Sequence, residues 1–211
     1  MKYRTILFDF DGCVVNSLPV WLKSFRKTFD ALGIPMSDRD IIDKAFHRWD
    51  AKPELKIPDV EVFKYDLYAN FDMLQKEIQL HEGFLDLMQI LKSRGIKTAI
   101  VTSTLRPTLD RVLTLLNCET LFDTTLSWED TERNKPDPDP LLLAMERLDS
   151  KPEETIMIGD NEVDILAGHA AHVTGIWYYP DIHELYYPHN MFSRHKPTHT
   201  IKHFKELIDL I

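Results

Sequence analysis

Cysteine is scarce in this 211-residue chain, which contains only Cys13 and Cys118. Two cysteines are too few for a disulfide-stabilised scaffold, so that class of small secreted protein is excluded. Basic residues are also outnumbered, because 25 lysines and arginines face 34 aspartates and glutamates and the formal net charge is -9. A chain with this balance repels a phosphate backbone, and we expect no nucleic-acid partner.

Long apolar runs are missing as well. No stretch approaches the roughly 18 to 20 apolar residues that cross a bilayer, so we expect no membrane partner. The N-terminal apolar run ends at Asp9 and is too short for the hydrophobic segment of a signal peptide. These features predict a cytoplasmic protein of ordinary globular composition, and they leave both a monomer and a homodimer open.

What the sequence does contain is a regular alternation of apolar and amphipathic segments. Residues 4–8 form a predicted strand, and residues 17–80 show helical patterns only, with Ser17 as the expected cap of the first helix. From Gly83 onward strands alternate with predicted helices at residues 84–93, 107–116, 138–148 and 161–171. This order predicts an α/β fold, in which a Rossmann-like parallel sheet core carries helices on both faces. A helical cap domain, residues 16–81, is then inserted after strand one, and residues 1–15 and 82–211 form the core domain.

Polar side chains follow the predicted strands at the points where the strands end. They are Asp9 and Asp11 after the first strand, Thr102 and Ser103 after the second, Lys135 in a loop after the third, and Asp160 and Asp164 after the fourth. Ligands of open parallel sheets bind at this edge. Clustered carboxylates repel one another unless a cation intervenes, and their hard oxygen atoms suit Mg²⁺, whereas hydroxyls and a lysine bind phosphoryl oxygens. The pattern therefore predicts a site for phosphate and magnesium.

At these residues the chain resembles the haloacid dehalogenase superfamily. Residues 9–17, DFDGCVVNS, resemble the family signature DxDGTLxDS, and residues 101–103, VTS, resemble its second motif. Residues 134–140, NKPDPDP, and residues 158–164, IGDNEVD, resemble the third and fourth motifs. The helical insert is similar to the small cap of the phosphoglycolate phosphatase-like branch.

The resemblance implies a role for each matching residue. Asp9 is the expected nucleophile, which forms an aspartyl phosphate, and Asp11 is the expected general acid and base. The hydroxyl of Thr102, the backbone N–H of Ser103 and the ammonium of Lys135 are expected to bind the transferring phosphoryl group. The expected Mg²⁺ ligands are Asp9, the backbone carbonyl of Asp11, and Asp160, with Asp164 as a further ligand or a support. The implied substrate is a small phosphorylated metabolite.

Several positions depart from the family pattern. Cys13 replaces the usual threonine and Asn16 the usual aspartate, which bears on rate and substrate preference. Asn134 and Asn161 replace the common glycine and serine, and we interpret both as tolerated variation.

Other functions remain open beside phosphomonoester hydrolysis. A sugar phosphomutase of the β-phosphoglucomutase type has a histidine at the position of Trp21, so Trp21 favours a hydrolase. A phosphonatase needs a Schiff-base lysine in the cap, for which Lys44, Lys52 and Lys56 are available. Asp11 argues against a dehalogenase, because halide displacement needs no such acid. A non-catalytic binding module on the same fold is the alternative from a different class.

Three further features have weaker interpretations. Arg48, Lys52 and Lys56 are either a solvated cluster or the source of a substrate contact in the cap. The histidine pairs 169/172 and 199/203 do not predict zinc, because His199 is placed in the last strand and His203 in the final helix. Residues 179–197 are predicted as a long surface loop of open function.

Overall fold

The computed structural model describes residues 2–46, 55–187, 192 and 195–211. The chain divides into two compact units, residues 1–16 with 80–211 and residues 17–79. Each boundary lies within two residues of the division proposed from the sequence.

The first unit contains a six-stranded, entirely parallel sheet. Its strands are β1 (Thr5–Phe8), β2 (Lys97–Val101), β3 (Thr124–Leu126), β4 (Thr155–Gly159), β5 (Thr174–Tyr178) and β6 (His199–Ile201). The strand order is β3-β2-β1-β4-β5-β6, so β1 lies between β2 and β4. Thr5 of β1 is opposite Lys97 on one side and Thr155 on the other. The predicted Rossmann-like parallel sheet is confirmed.

Eight α-helices accompany the strands in the described part of the chain. They are α1 (Leu18–Ala31), α2 (Asp38–Lys44), α3 (Val60–Leu74), α4 (Phe84–Ser93), α5 (Arg106–Leu115), α6 (Asp139–Arg147), α7 (Glu162–Ala170) and α8 (Lys205–Ile208). The predicted boundaries of the core helices 84–93, 107–116, 138–148 and 161–171 differ from these by at most one residue. Within the described residues, no helix is long and apolar enough to span a membrane.

Both faces of the sheet are covered by helices. Side chains alternate across a strand, so Leu7 and Phe8 point to opposite faces. Leu7 belongs to a buried cluster with residues of α6 and α7, including Leu141 and Ala167. Phe8 packs edge-to-face against Phe84 of α4, with ring centroids 5.4 Å apart. This two-sided burial explains why the strands are continuous apolar runs.

The second unit is helical throughout its described residues, as predicted. Its core is aromatic, and Phe29 and Phe63 bring α1 and α3 together with ring centroids 4.9 Å apart. Ser37 caps helix α2, because its hydroxyl accepts a hydrogen bond from the backbone N–H of Asp40. Trp21 stacks on Phe71 with ring centroids 4.0 Å apart, so its ring contributes to this packing.

Some local predictions were wrong. Ser17 precedes α1 but makes no side-chain cap, and a 3-10 helix, Asp181–Leu185, interrupts the predicted loop 179–197. His203 lies before α8, outside the final helix.

Lys44 forms an exposed ion pair with Asp40. Three basic residues were considered for a substrate contact in the cap. Arg48 and Lys52 lie outside the described residues, whereas Lys56 is described and exposed.

Candidate active site

The strand order brings three loops together at the carboxyl edge of the sheet. Asp9 follows β1 directly, Thr102 follows β2, and Asp160 follows β4. Because β1 lies between β2 and β4, these three residues occupy neighbouring positions at one edge. The backbone N–H of Asp9 continues the pairing with β4 by donating to the carbonyl of Ile158 at 2.8 Å. The strand ends therefore hold the start of each loop in a fixed position.

Lys135 connects the third and fourth motifs to the first. Its Nζ donates to Oδ1 of Asp9 at 2.6 Å, to Oδ1 of Asp164 at 2.7 Å and to the carbonyl of Val101 at 2.8 Å. The side chain of Lys135 is 3% exposed, so this ion pair is shielded from solvent. Burial by itself lowers the pKa of Lys135, but the charges of Asp164 and Asp9 raise it above its usual value. Lys135 is therefore a fixed cation.

Three buried carboxylates can surround a metal ion here. One oxygen each of Asp9, Asp160 and Asp164 lies within 4.8 Å of the others. A single lysine does not balance three carboxylates. Burial raises the pKa of Asp9 to about 7, and the charges of Asp164 and Asp11 add to that shift while Lys135 opposes it. Burial also raises the pKa of Asp160 well above its usual range, with further contributions from Asp9 and Asp164. This oxygen-only donor set with excess negative charge fits Mg²⁺.

Two glycines allow the acidic side chains to approach the backbone closely. Gly12 has a φ of +76°, and a Cβ added there would lie 2.1 Å from Oδ2 of Asp160. A Cβ added at Gly159 would lie 2.3 Å from the carboxylate of Asp164. These distances are far below van der Waals contact, so any larger residue would displace the carboxylates.

Asp164 has two partners at once. Its Oδ2 accepts a hydrogen bond from the backbone N–H of Asn161 at 3.0 Å, while its Oδ1 accepts from Lys135. The side chain of Asn161 in turn accepts from the N–H of Val163, which completes a capping box at the start of α7. Asn161 is thus the N-cap residue of α7. Asp164 completes the capping box and also faces the site.

Asp11 is held by a hydroxyl group that the sequence analysis did not identify. The hydroxyl of Thr104 donates to Oδ2 of Asp11. Thr102 donates its own hydroxyl proton to Thr104 Oγ1 at 3.1 Å and accepts from the Thr104 backbone N–H at 3.1 Å. Asp11 is partly exposed, so it remains accessible to a reacting group. Ser103, by contrast, is exposed in the turn between Thr102 and Thr104.

Trp177 and Tyr187 are two further neighbours of the site that sequence reasoning missed. The indole N–H of Trp177 donates to the backbone carbonyl of Asp160 at 2.8 Å, and the hydroxyl of Tyr187 donates to Oδ2 of Asp160 at 2.6 Å. Trp177 belongs to β5, but Tyr187 lies in the irregular segment after it. Thr104 is a third hydroxyl residue after β2, but its contact with Asp11 depends on the fold of the turn, and no periodic signal points to Tyr187.

The departures from the family pattern have structural roles. Cys13 is buried, and its thiol lies 3.6 Å from the backbone carbonyl of Ile158, so it supports the loop after β1 from inside. Cys13 and Cys118 are both free thiols.

Among the histidines, the ring nitrogen Nε2 of His169 lies 3.1 Å from the carbonyl of Lys196. In the part of the chain that the structure describes, one group of three or more side chains could hold a metal ion. It consists of Asp9, Asp160 and Asp164, which we call the aspartate cluster.

The chain is similar to known proteins over most of its length. The model of the family described as haloacid dehalogenase-like hydrolase matches residues 6–178. Pyrophosphatase PpaX of Halalkalibacterium halodurans is 34% identical over 187 residues, which cover 82% of this chain and 82% of that protein. A candidate pyrophosphatase PpaX of Caldanaerobacter subterraneus is 29% identical and covers 100% of this chain and 96% of its own length. The crystal structure of a candidate phosphoglycolate phosphatase from Lactobacillus plantarum aligns over 100% of both chains with a TM-score of 0.85 and 26% identity.

Proposed function

Because this chain belongs to the haloacid dehalogenase-like hydrolase family, as its motifs predicted, we propose that it is a Mg²⁺-dependent phosphatase with Asp9 as the nucleophile. The proposed substrate is a small phosphorylated anion in the cytoplasm. Two free, buried thiols are consistent with that reducing compartment.

One observation carries the proposal. The ammonium of Lys135 contacts Asp9 and Asp164 in a shielded site that also contains Asp160. Packing three carboxylates together is costly unless a cation completes the site. A purely structural core gains nothing from this arrangement, whereas phosphoryl transfer requires a nucleophile, a fixed positive charge and a divalent cation in one place.

The proposed reaction has two steps. In the first, a carboxylate oxygen of Asp9 attacks phosphorus while the bond from phosphorus to the leaving oxygen breaks, and the carboxylic acid of Asp11 protonates that oxygen. In the second, the Asp11 carboxylate removes a proton from water as the water attacks phosphorus, which releases phosphate and regenerates Asp9. The hydrogen bond from Thr104 fixes the orientation of Asp11 for both proton transfers.

The remaining residues bind the phosphoryl group. Lys135 supplies positive charge beside Asp9, and the hydroxyl of Thr102 and the backbone N–H of Ser103 supply hydrogen bonds at the end of β2. When bound by Asp9, Asp160 and the backbone carbonyl of Asp11, Mg²⁺ supplies charge neutralisation for the phosphoryl oxygens. We assign Asp164 chiefly to the support of Lys135, because both of its carboxylate oxygens have protein partners.

Pyrophosphate and phosphoglycolate are the first candidate substrates to test. The curated relatives with 34% identity are named pyrophosphatase, and the similar structure from Lactobacillus plantarum is named for phosphoglycolate. Both compounds are small anions with a terminal phosphoryl group. A phosphomutase is less well supported, because Trp21 packs on Phe71 in the helical unit and its indole, unlike a histidine, is neither a general acid nor a general base near neutral pH.

The test is phosphate release from a panel of compounds, with and without Mg²⁺. The panel contains pyrophosphate, phosphoglycolate, sugar phosphates and nucleoside monophosphates. We expect Mg²⁺-dependent release by the wild type, none by Asp9→Asn, and wild-type release by Asp86→Asn, an exposed aspartate on α4. Equal release by the wild type and Asp9→Asn would refute the assignment and favour the binding-module alternative.

A further inference from the structure

Lys135 has no N–H donor left for Asp160, the third carboxylate of the aspartate cluster formed by Asp9, Asp160 and Asp164. A lysine ammonium has three N–H donors, and those of Lys135 go to Asp9, Asp164 and the carbonyl of Val101. Asp160 is nevertheless 1% exposed. A buried carboxylate needs hydrogen-bond donors from another source.

Tyr187 provides such a donor from a distant segment of the chain. Its hydroxyl lies 2.6 Å from Oδ2 of Asp160, 27 residues away in sequence. Gly12 packs against the same oxygen, since a Cβ there would lie 2.1 Å from it. The hydroxyl of Tyr187 and the backbone at Gly12 therefore both lie against Oδ2 of Asp160.

Tyr187 is itself held in place by three contacts. Its backbone N–H donates to the carbonyl of His183 at 2.9 Å, and its own carbonyl accepts a hydrogen bond from the hydroxyl of Tyr179 at 3.1 Å. Its ring meets the ring of His183 edge-to-face with centroids 5.5 Å apart. The residue is thus a fixed donor.

We infer that Tyr187 is a positioning residue that sets the affinity of the site for Mg²⁺ by fixing the carboxylate of Asp160. In this role it acts through Asp160. The segment after β5 thereby contributes to a metal site otherwise built from the strand ends. This inference rests on the proposed Mg²⁺ site, and partners of this kind typically change metal affinity by about 10- to 100-fold when they are removed.

The test is the dissociation constant for Mg²⁺, measured by isothermal titration calorimetry without substrate. Tyr187→Phe removes the hydroxyl and keeps the ring, and we expect it to weaken Mg²⁺ binding by roughly tenfold or more. We expect kcat at saturating Mg²⁺ to stay within about threefold of wild type, because the metal affinity changes and the nucleophile does not. Tyr3→Phe is the matched control, since it removes a hydroxyl from another buried tyrosine of the same unit, one that hydrogen-bonds Thr174, and its Mg²⁺ affinity should equal that of wild type.

Thermal unfolding in EDTA separates metal affinity from folding. A Tyr187→Phe protein that is folded and binds Mg²⁺ as tightly as wild type would overturn the inference. If Tyr187→Phe does not fold, Tyr179→Phe decides, because it removes the hydroxyl that holds the Tyr187 carbonyl. Weaker Mg²⁺ binding by Tyr179→Phe than by Tyr3→Phe supports the inference, and equal binding refutes it. A wild type that binds no Mg²⁺ would instead refute the proposed function itself, and the inference with it.

Discussion

Lys135 Nζ lies 2.6 Å from Oδ1 of Asp9, although 126 residues separate the two in sequence. The contact links the end of β1 to the loop that precedes α6, and it places a fixed cation beside the proposed nucleophile. We therefore expect stability and activity to depend on the same side chain.

Replacing Lys135 by methionine is expected to reduce both properties. The substitution leaves Asp9 and Asp164 buried without their counter-charge, and breaking a buried ion pair from one side costs roughly 3 to 5 kcal/mol. We expect urea unfolding in EDTA to show a loss of this order, and phosphate release to fall by at least about 100-fold. The matched control is Lys92→Met on the exposed surface of α4, which should change neither.

Gly12→Ala tests the close approach between the loop after β1 and Asp160. Gly12 and Gly83 have the same φ of +76°, but among the described residues no heavy atom would lie within 4 Å of a Cβ at Gly83. Gly83→Ala therefore measures the backbone penalty alone, about 1 to 2 kcal/mol, with activity retained. Gly12→Ala adds the clash with Asp160, and we expect activity and Mg²⁺ binding to be lost. Similar behaviour of the two variants would contradict the geometry.

Thr104→Val tests the hydroxyl that holds Asp11. Valine preserves the shape of threonine but removes the donor, so Asp11 loses its fixed orientation for proton transfer. Because a well-placed general acid contributes about 10²- to 10⁴-fold, we expect kcat to fall by roughly tenfold or more, with a smaller change in KM. Thr114→Val on the exposed face of α5 is the control. An unchanged kcat for Thr104→Val would show that Asp11 is oriented by other contacts.

Two buried histidines predict a loss of stability in mild acid. Burial lowers the pKa of His81 to about 4, and burial together with the charge of His81 lowers the pKa of His183 to about 3. The unfolded chain has ordinary histidines with a pKa near 6.5, so it binds more protons than the folded protein between about pH 6.5 and 4. Stability from the neutral histidines is therefore complete above pH 6.5 and is lost as the pH falls.

The measurement is the free energy of unfolding at pH 7 and pH 4.5 for wild type and His183→Gln. The raised pKa of Asp9 acts in the opposite direction, so the difference between the two proteins is the informative quantity. We expect wild type to lose roughly 2 kcal/mol more than His183→Gln between these pH values. The control, His199→Gln on the surface, should follow wild type. Parallel curves for wild type and His183→Gln would contradict this account.

The fold and most of the proposed site followed from sequence patterns because both depend on strand ends. Each apolar run fixes where a parallel strand stops, and the strand order then brings Asp9, Thr102 and Asp160 to one edge. Lys135 was predicted from its motif, although its position in a loop carries no periodic signal. Asp164 was predicted as a metal ligand or a support, whereas its hydrogen bonds to both Lys135 and the backbone N–H of Asn161 depend on tertiary structure.

Tyr187 and Thr104 could not be placed in the same way. Tyr187 lies in a segment that follows neither helical nor strand periodicity, so its direction depends on tertiary contacts with His183 and Tyr179. Thr104 faces Asp11 because of how the turn after β2 is folded, which the sequence alone leaves open. Residues that support an active site from irregular segments are those that sequence patterns identify least well.

The most direct test of the central claim is chemical trapping of the phosphorylated enzyme. Borohydride reduces an acyl phosphate to an alcohol, so quenching a reaction of enzyme, Mg²⁺ and substrate with borohydride should convert residue 9 to homoserine, as read by peptide mass mapping. We predict this conversion at position 9 only when substrate and Mg²⁺ are both present, and at no other aspartate. Phosphate release at the full rate with position 9 unmodified, or with modification at Asp11 instead, would contradict the assignment of Asp9 as the nucleophile.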